Sequence, residues 1–354
     1  MNISESIRII PGSIFTYQIA VRYIINQIQK KRSLKSVIKK QIFIGKSKFN
    51  TDIYIPANKI PRGTILLVHG MAPMGKNDPR MIDFGYNLAD CGYRTIIPQF
   101  DSIANFIFDS NDEKKISEVV QCIYNSKELS CSKKIGIMTA SYSGTLSLMA
   151  ASDKKTSECI SSLFVMGSFL QISSIFEHLF EKNNGNDYGR FIAMKNYFLT
   201  NKMKNIKLSH AMDLSARVLS SGKGKTLLAK HINSMKSSDR KLFEMLTHEP
   251  QFRKDMILKN STALKQLYTE FNIKDKIQNI KSSVVLLHGS SDPVVPSSQS
   301  LLLGEKLCSS NIENRVLITP LITHANPQFG ISSIVDILKL VHLLRFFFNR
   351  INTY

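Results

Sequence analysis

The sequence predicts an α/β fold: a mostly parallel sheet with helices on both faces and a helical insertion between two late strands. Three observations carry that expectation. Short, continuously apolar runs alternate with helix-compatible stretches between residues 64 and 167, the pattern of strands buried on both faces. The alternation stops over residues 168–280, where only helix-compatible stretches rich in Lys, Met and Phe occur. It resumes at Ser283, and the chain closes on a strongly apolar helix. With 354 residues, 43% hydrophobic and 21% charged, the chain is ordinary globular material, and wholesale disorder is excluded. The expected organisation is an N-terminal basic amphipathic segment (1–40), a core built from 41–167 and 281–354, and a cap or lid insertion at 168–280.

Along the chain, the apolar positions of Ile14–Ile25 suit an amphipathic helix, and the basic cluster Lys30-Lys31-Arg32 follows. Glu5, Pro11, Gly12 and Gln18 make this a poor signal peptide, and Arg22 with the short apolar length argues against a membrane span. Two readings stay open: a helix packed on the main domain with a solvated basic end, or peripheral contact with an anionic membrane through residues 1–40. The alternating runs Gln41–Gly45 and Asp52–Pro56, separated by a polar turn, read as a β-hairpin. Thr64–Val68 is an apolar strand ending in His69-Gly70. A helix over Met81–Asp90 leads to a strand at Arg94–Pro98, and one near Glu113–Asn125 leads to a strand at Lys134–Met138. Ile160–Met166 is the next strand; Ser283–Gly289 and Arg315–Thr319 follow the insertion, and Ile331–Phe348 is the last helix. No internal repeat is present.

The net charge of +20 is unevenly spread. Residues 1–60 carry 11 basic and 2 acidic side chains, and residues 168–280 carry 19 and 10. Residues 61–167 hold 11 of each, and 281–354 hold 6 and 4, so the framework is nearly neutral. A basic chain invites nucleic acid as a partner. However, no RRM, KH, helix-turn-helix or zinc-finger signature occurs, and no nucleic acid is expected. Five widely spaced cysteines without a CxxC pair argue for reduced thiols, hence a cytoplasmic setting, with a peripheral membrane position left open. No HExxH or similar spacing occurs, so neither metal nor cofactor is expected. Gly222-Lys223-Gly224-Lys225-Thr226 is a P-loop decoy, since position 219 is Leu and no strand precedes it.

The chemistry-bearing segment is Ile135–Thr145, a strand passing directly into a helix start around Thr139-Ala140-Ser141-Tyr142-Ser143-Gly144. A nucleophile elbow needs small residues two places either side of the nucleophile, because the tight turn presses backbone against it. With Ser141 as nucleophile those places hold Thr139 and Ser143. Centring on Tyr142 offers a phenol, a poor acyl acceptor, and centring on Ser143 shifts the strand by two residues. Asp292 lies in the loop just after an apolar strand, in His288-Gly289-Ser290-Ser291-Asp292-Pro293-Val294-Val295-Pro296, and His324 lies in the loop after the next. Ser, Asp and His in that order, each at a strand's C-terminal end, form one of the convergent triad arrangements. Ser141 is a weak nucleophile until His324 accepts its proton, and Asp292 would orient the imidazole. Backbone N–H groups of Met71 and Tyr142 are the natural oxyanion donors.

On Val68-His69-Gly70-Met71, the Ser141 elbow, the Asp292 loop and His324, the chain resembles an α/β-hydrolase-fold serine hydrolase of the capped esterase or lipase kind. The resemblance covers residues 40–167 and 281–350, and the family commonly inserts a helical cap where 168–280 falls. Thr139 and Ser143 are departures from its elbow pattern. The resemblance implies acyl hydrolysis. The expected function is a serine hydrolase cleaving a small-molecule or lipid-like carboxylic ester, thioesters included, through an acyl-enzyme. The alternatives are a non-catalytic binding or membrane-associated scaffold, or a peptidase or acyltransferase with the same triad. His69 and Gly70 are expected to shape the oxyanion loop, and His288 to be structural. Met194, Tyr197, Phe198, Met203, Met212 and Met235 fit a roof over an apolar pocket as well as they fit the core of a small helical subdomain.

Overall fold

Eight strands form one sheet in the order β1-β2-β4-β3-β5-β6-β7-β8 in the computed structural model. Its described residues are 11–29, 37–57, 59–132, 134–181, 187–200, 204–259, 261–324 and 334–352. The strands are β1 (Val37–Ile44), β2 (Phe49–Pro56), β3 (Thr64–Val68), β4 (Arg94–Pro98), β5 (Ile135–Ala140), β6 (Ile160–Met166), β7 (Ser283–Gly289) and β8 (Asn314–Thr319). β1 and β2 form the expected hairpin, longer than the alternation alone indicates, with Ile44 opposite Phe49. β2 is antiparallel to β4, and every pairing from β4 through β8 is parallel. The chain steps from β3 outward to β4, then returns across β3 to β5. The loops after β3 and β5 therefore leave the sheet side by side in opposite directions, the crevice where open parallel sheets bind ligands.

The helices are α1 (Pro11–Gln29), α2 (Pro79–Asp90), α3 (Asp101–Ala104), α4 (Asp112–Asn125) and α5 (Tyr142–Ser152), followed between β6 and β7 by α6 (Ile172–Glu181), α7 (Asp187–Tyr197), α8 (Ile206–Ser221), α9 (Lys225–Ser234), α10 (Ser237–His248), α11 (Pro250–Lys259) and α12 (Ser261–Glu270). α13 (Ser298–Ser309) and α14 (Ile334–Ile351) complete the set. Alternate residues of each central strand feed two cores. Ile65, Leu67, Met138, Phe164 and Leu287 pack under α1, α2 and α14. Leu66, Val68, Ile137, Leu163 and Leu286 pack under α4, α5, α13 and the inserted helices.

α1 lies on the main domain. Its Tyr23 ring meets Phe348 of α14 edge-on at 6.1 Å, Tyr17 Oη lies 3.3 Å from His342 Nδ1, and Arg22 pairs with Asp90 at 2.7 Å. This helix is therefore packed on the main domain, while Lys30, Lys31 and Arg32 lie outside the described residues. Among the described residues no helix is long and apolar enough to cross a membrane.

Candidate active site

β5 ends at Ala140 and α5 begins at Tyr142, so the whole reversal falls on Ser141, at φ 58° and ψ −134°. An L-residue held there stores roughly 1–3 kcal/mol of strain, tolerated only where the surroundings over-determine it. They do. The Ser141 N–H donates to Met166 O at 2.7 Å, and its carbonyl accepts from Gly144 N–H at 2.9 Å. A Cβ on Gly144 would stand 2.6 Å from Val165 Cγ1, so α5 approaches β6 closely only because no side chain is there. The two departures from the elbow pattern are accommodated differently: Ser143 is hydrogen-bonded, whereas the buried Thr139 hydroxyl has no partner among the described residues. Thr139 stays in strand register between Val68 and Val165, and Ser143 is buried with its hydroxyl donating to His69 O at 2.6 Å.

The three residues drawn from distant loops meet. His324 Nε2 lies 2.9 Å from Ser141 Oγ, and its Nδ1 lies 2.8 Å from Asp292 Oδ2. An ionised carboxylate only accepts, so Nδ1 carries the proton and Nε2 is left to accept from the serine hydroxyl. The other carboxylate oxygen, Oδ1, accepts the Val294 and Val295 N–H groups at 2.8 and 3.0 Å. Buried His288 also reaches this carboxylate, with Nε2 3.3 Å from Oδ2 and 2.9 Å from Val295 O. A carbonyl only accepts, so Nε2 carries a proton toward Val295 O, while Nδ1 lies 2.6 Å from Ser300 Oγ. Burial alone would raise the Asp292 pKa. The hydrogen bonds from His288 and His324, the His324 charge and the Val295 N–H outweigh it and hold the carboxyl well below the usual carboxylate range.

Beside the serine, residues 69–71 form a tightly tied strand end. The His69 ring donates from Nδ1 to Gly70 O at 3.0 Å and accepts the Phe100 N–H at Nε2, also at 3.0 Å. Burial lowers its pKa to about 4, so this ring stays neutral and serves as a tie. Met71 O accepts the Tyr188 hydroxyl of α7 at 2.7 Å, while the Met71 N–H has no acceptor among the described residues. Tyr142 is the first residue of α5, so its N–H lacks an intrahelical partner and carries the positive end of the helix dipole. Tyr188→Phe deletes the tie on Met71 O together with the hydroxyl's contact with Ser220. It should lower kcat by about 5–10-fold, the equivalent of one neutral hydrogen bond, with little change in KM. An unchanged kcat in steady-state assays would show that the tie is dispensable.

Ser141 opens onto a cavity of about 720 Å³. Ile172, Ile175 and Leu179 of α6, with Phe169 and Val294, make an apolar wall. Asp78, Arg80, Tyr188 and Ser220 make a polar side, where Arg80 forks onto Asp78 at 2.8 and 2.9 Å. The loop after α3 brings in Phe108, stacked on the Tyr142 ring at 5.0 Å. α7 grips that loop. Asn196 donates to Phe106 O at 2.8 Å and accepts Phe108 N–H at 2.7 Å, and Lys195 donates to Asn105 O. Asp213 of α8 pairs with both Lys195 and Arg217 at 2.8 Å.

Of the two readings of the insertion's methionines and aromatics, this arrangement favours the helical core. Met194, Tyr197, Phe198, Met212 and Met235 are buried inside the inserted helices and do not line the cavity, while Met203 lies outside the described residues. They form a helical core, and the apolar wall of the pocket comes from α6 with Phe169 and Val294. The i, i+3, i+7 spacing of Ile172, Ile175 and Leu179 was the available signal; Phe108 and Tyr188 had none. The decoy glycines 222 and 224 serve as a helix C-cap and the next N-cap.

Sheet order, crossover and elbow together define an α/β-hydrolase. The BD-FAE family model matches residues 51–307, and the chain belongs to that family, an α/β-hydrolase-type domain, which places it among the hydrolases of this superfamily. Among solved structures it is similar to a Pyrococcus horikoshii acylaminoacyl peptidase, at 13% identity and a TM-score of 0.55, over 93% of this chain and 44% of the peptidase. It is also similar to a 2,6-dihydroxy-pseudo-oxynicotine hydrolase, at 12% identity and a TM-score of 0.50, over 92% of this chain and 72% of that one. At such identities the likeness is one of fold, and the chain spans less than half the length of the peptidase. No curated protein sequence matches the chain.

Proposed function

We propose that the chain is a serine hydrolase cleaving carboxylic esters with an apolar acyl or alcohol part through an acyl-enzyme. The observation that carries this is the unbroken relay from Asp292 through His324 to a strained Ser141 that opens on a largely apolar cavity. Ser141 Oγ attacks the carbonyl carbon while His324 Nε2 takes its proton. The carbonyl oxygen becomes an oxyanion between the Met71 and Tyr142 N–H groups. Such donors are typically worth ~10²–10³ each in rate, because they meet charge that exists only in the transition state. Collapse breaks the C–O bond, and the departing alcohol takes the proton from His324. Water then repeats the sequence on the acyl-serine and restores Ser141. Asp292 orients the ring throughout and stabilises its charged form.

The experiment is to treat the protein with an active-site fluorophosphonate and map the adduct by peptide mass spectrometry. One adduct on Ser141 is expected, together with turnover of nitrophenyl esters. Failure of both would overturn the reading and leave a non-catalytic scaffold. Acyl-CoA thioesters and acyl-peptides in the same panel separate an esterase from a thioesterase, peptidase or acyltransferase, which share these steps.

A further inference from the structure

We infer that Ser143, the second departure from the elbow pattern, is a positioning residue for the oxyanion: its hydroxyl holds the strand end that presents the Met71 N–H. The inference rests on the serine-hydrolase reading above. Its starting point is where the sheet stops. β3 pairs with β5 only as far as Val68 opposite Thr139, so residues 69–71 have left the ladder and need another anchor. The ring of His69 ties Gly70 O and Phe100 N–H, and Tyr188 ties Met71 O. The carbonyl of His69 itself is tied by Ser143 Oγ at 2.6 Å, in a spot where Ser143 is completely buried.

Ser143 is well placed for the task. It stands two residues after Ser141 and one after Tyr142, in the first turn of α5. One hydroxyl therefore links the helix that carries the nucleophile and one oxyanion donor to the strand end that carries the other. Glycine would satisfy the turn but supply no such link. Without it a buried carbonyl lacks a partner, and the flanking peptides turn to find one. Oxyanion donors act only within about 2.7–3.1 Å of the developing charge, so a small rotation of the Gly70–Met71 peptide matters.

The test compares Ser143→Ala, Ser143→Gly and Ser143→Cys with wild type. The control is Ser152→Ala, which deletes another buried hydroxyl of α5 that donates to a carbonyl, Met149 O, at 2.7 Å but lies at the far end of the helix. Ala and Gly should lower kcat on a nitrophenyl ester by about 10–100-fold, with KM within about 2-fold, because the interaction matters only once the oxyanion forms. The affinity of a trifluoromethyl ketone, which adds to the serine and creates that oxyanion, should fall by the same factor. Cys, a weak donor of similar volume, should fall between, and Ser152→Ala should match wild type. Amide hydrogen exchange at residues 69–72 should quicken in Ser143→Ala regardless of turnover. Unchanged exchange, or a kcat within about 2-fold of wild type, overturns the inference; so does an equal kcat loss in Ser152→Ala. Faster exchange in a protein whose wild type neither turns over nor labels would instead overturn the hydrolase reading and leave the anchor standing.

Discussion

Ser141→Ala should lower kcat on any ester the wild type cleaves by about 10⁴–10⁶-fold, Asp292→Asn by about 10⁴-fold, and the double variant by no more than Ser141→Ala alone. The lack of additivity is the informative part. In the proposed mechanism Asp292 touches neither substrate nor Ser141; it would act by fixing the proton on His324 Nδ1, which leaves Nε2 able to receive the serine proton. An amide at 292 presents an N–H as readily as a carbonyl, so the ring adopts the wrong tautomer and the serine loses its base. Once the serine is gone, the tautomer no longer matters. Additive losses in single-turnover assays would mean that Asp292 acts through something other than His324. The same residue links activity to acid stability. Its folded-state pKa lies below its unfolded value, so its stabilisation is complete above the ordinary carboxylate pKa of ~3.9 and is lost as pH falls through the lower folded value. The contribution of the carboxylate to the stability gap between wild type and Asp292→Asn in urea should therefore shrink below about pH 4.

The largest stability loss is expected at a buried ion pair outside the Ser141, Asp292 and His324 trio. Lys76 Nζ lies 2.6 Å from Asp52 Oδ1, with side chains only 3% and 2% exposed, and exposed Lys39 approaches the other carboxylate oxygen at 2.8 Å. Removing one partner of a buried pair strands the other charge, a loss of about 3–5 kcal/mol. Asp52→Ala should approach that range, because it leaves the buried ammonium with no counter-ion. Lys76→Met should cost less, since Lys39 still faces Asp52. Exchanging both together for Leu and Met should cost less than Asp52→Ala alone, because a buried pair is expensive mainly when broken. Urea unfolding of the three variants checks the order. The pair also holds the chain between the oxyanion strand end and α2, with Gln99 Oε1 accepting the Lys76 N–H at 2.9 Å, so Asp52→Ala should blunt activity as well.

The parts of this molecule most legible in the sequence are those with a single physical explanation. Runs such as Ile65–Val68 and Val284–Leu287 are apolar at every position because both faces of a parallel sheet are covered. Asp292 and His324 stand out because they follow such runs, and loops at that edge converge. Ser141 is visible through its turn despite Thr139 and Ser143. α13 was not anticipated: Gly304 interrupts it, and the reason appears only in three dimensions, where a Cβ would stand 2.5 Å from Val316 Cγ2. The pocket wall is not legible in the sequence for a related reason. Helical periodicity says which face of an inserted helix is apolar, not whether that face meets another helix or the cavity. Met194 and Met212 meet helices, whereas Ile175 and Leu179 meet the cavity. The contact of His288 with Asp292 likewise depends on how the loop between them folds back.

α5 and α9 stand at opposite extremes. Every residue of α5 from Tyr142 to Ser152 is buried, and no residue of α9 is. For a population of diverging sequences these are two different clocks. Drift along α9 is constrained by little beyond helix propensity and solubility. Each step along α5 must preserve volume and hydroxyl pairing in a space without slack, so its small polar residues are fixed by geometry as firmly as the serine before them is fixed by chemistry. A relative too remote to align elsewhere should still be readable through those eleven positions.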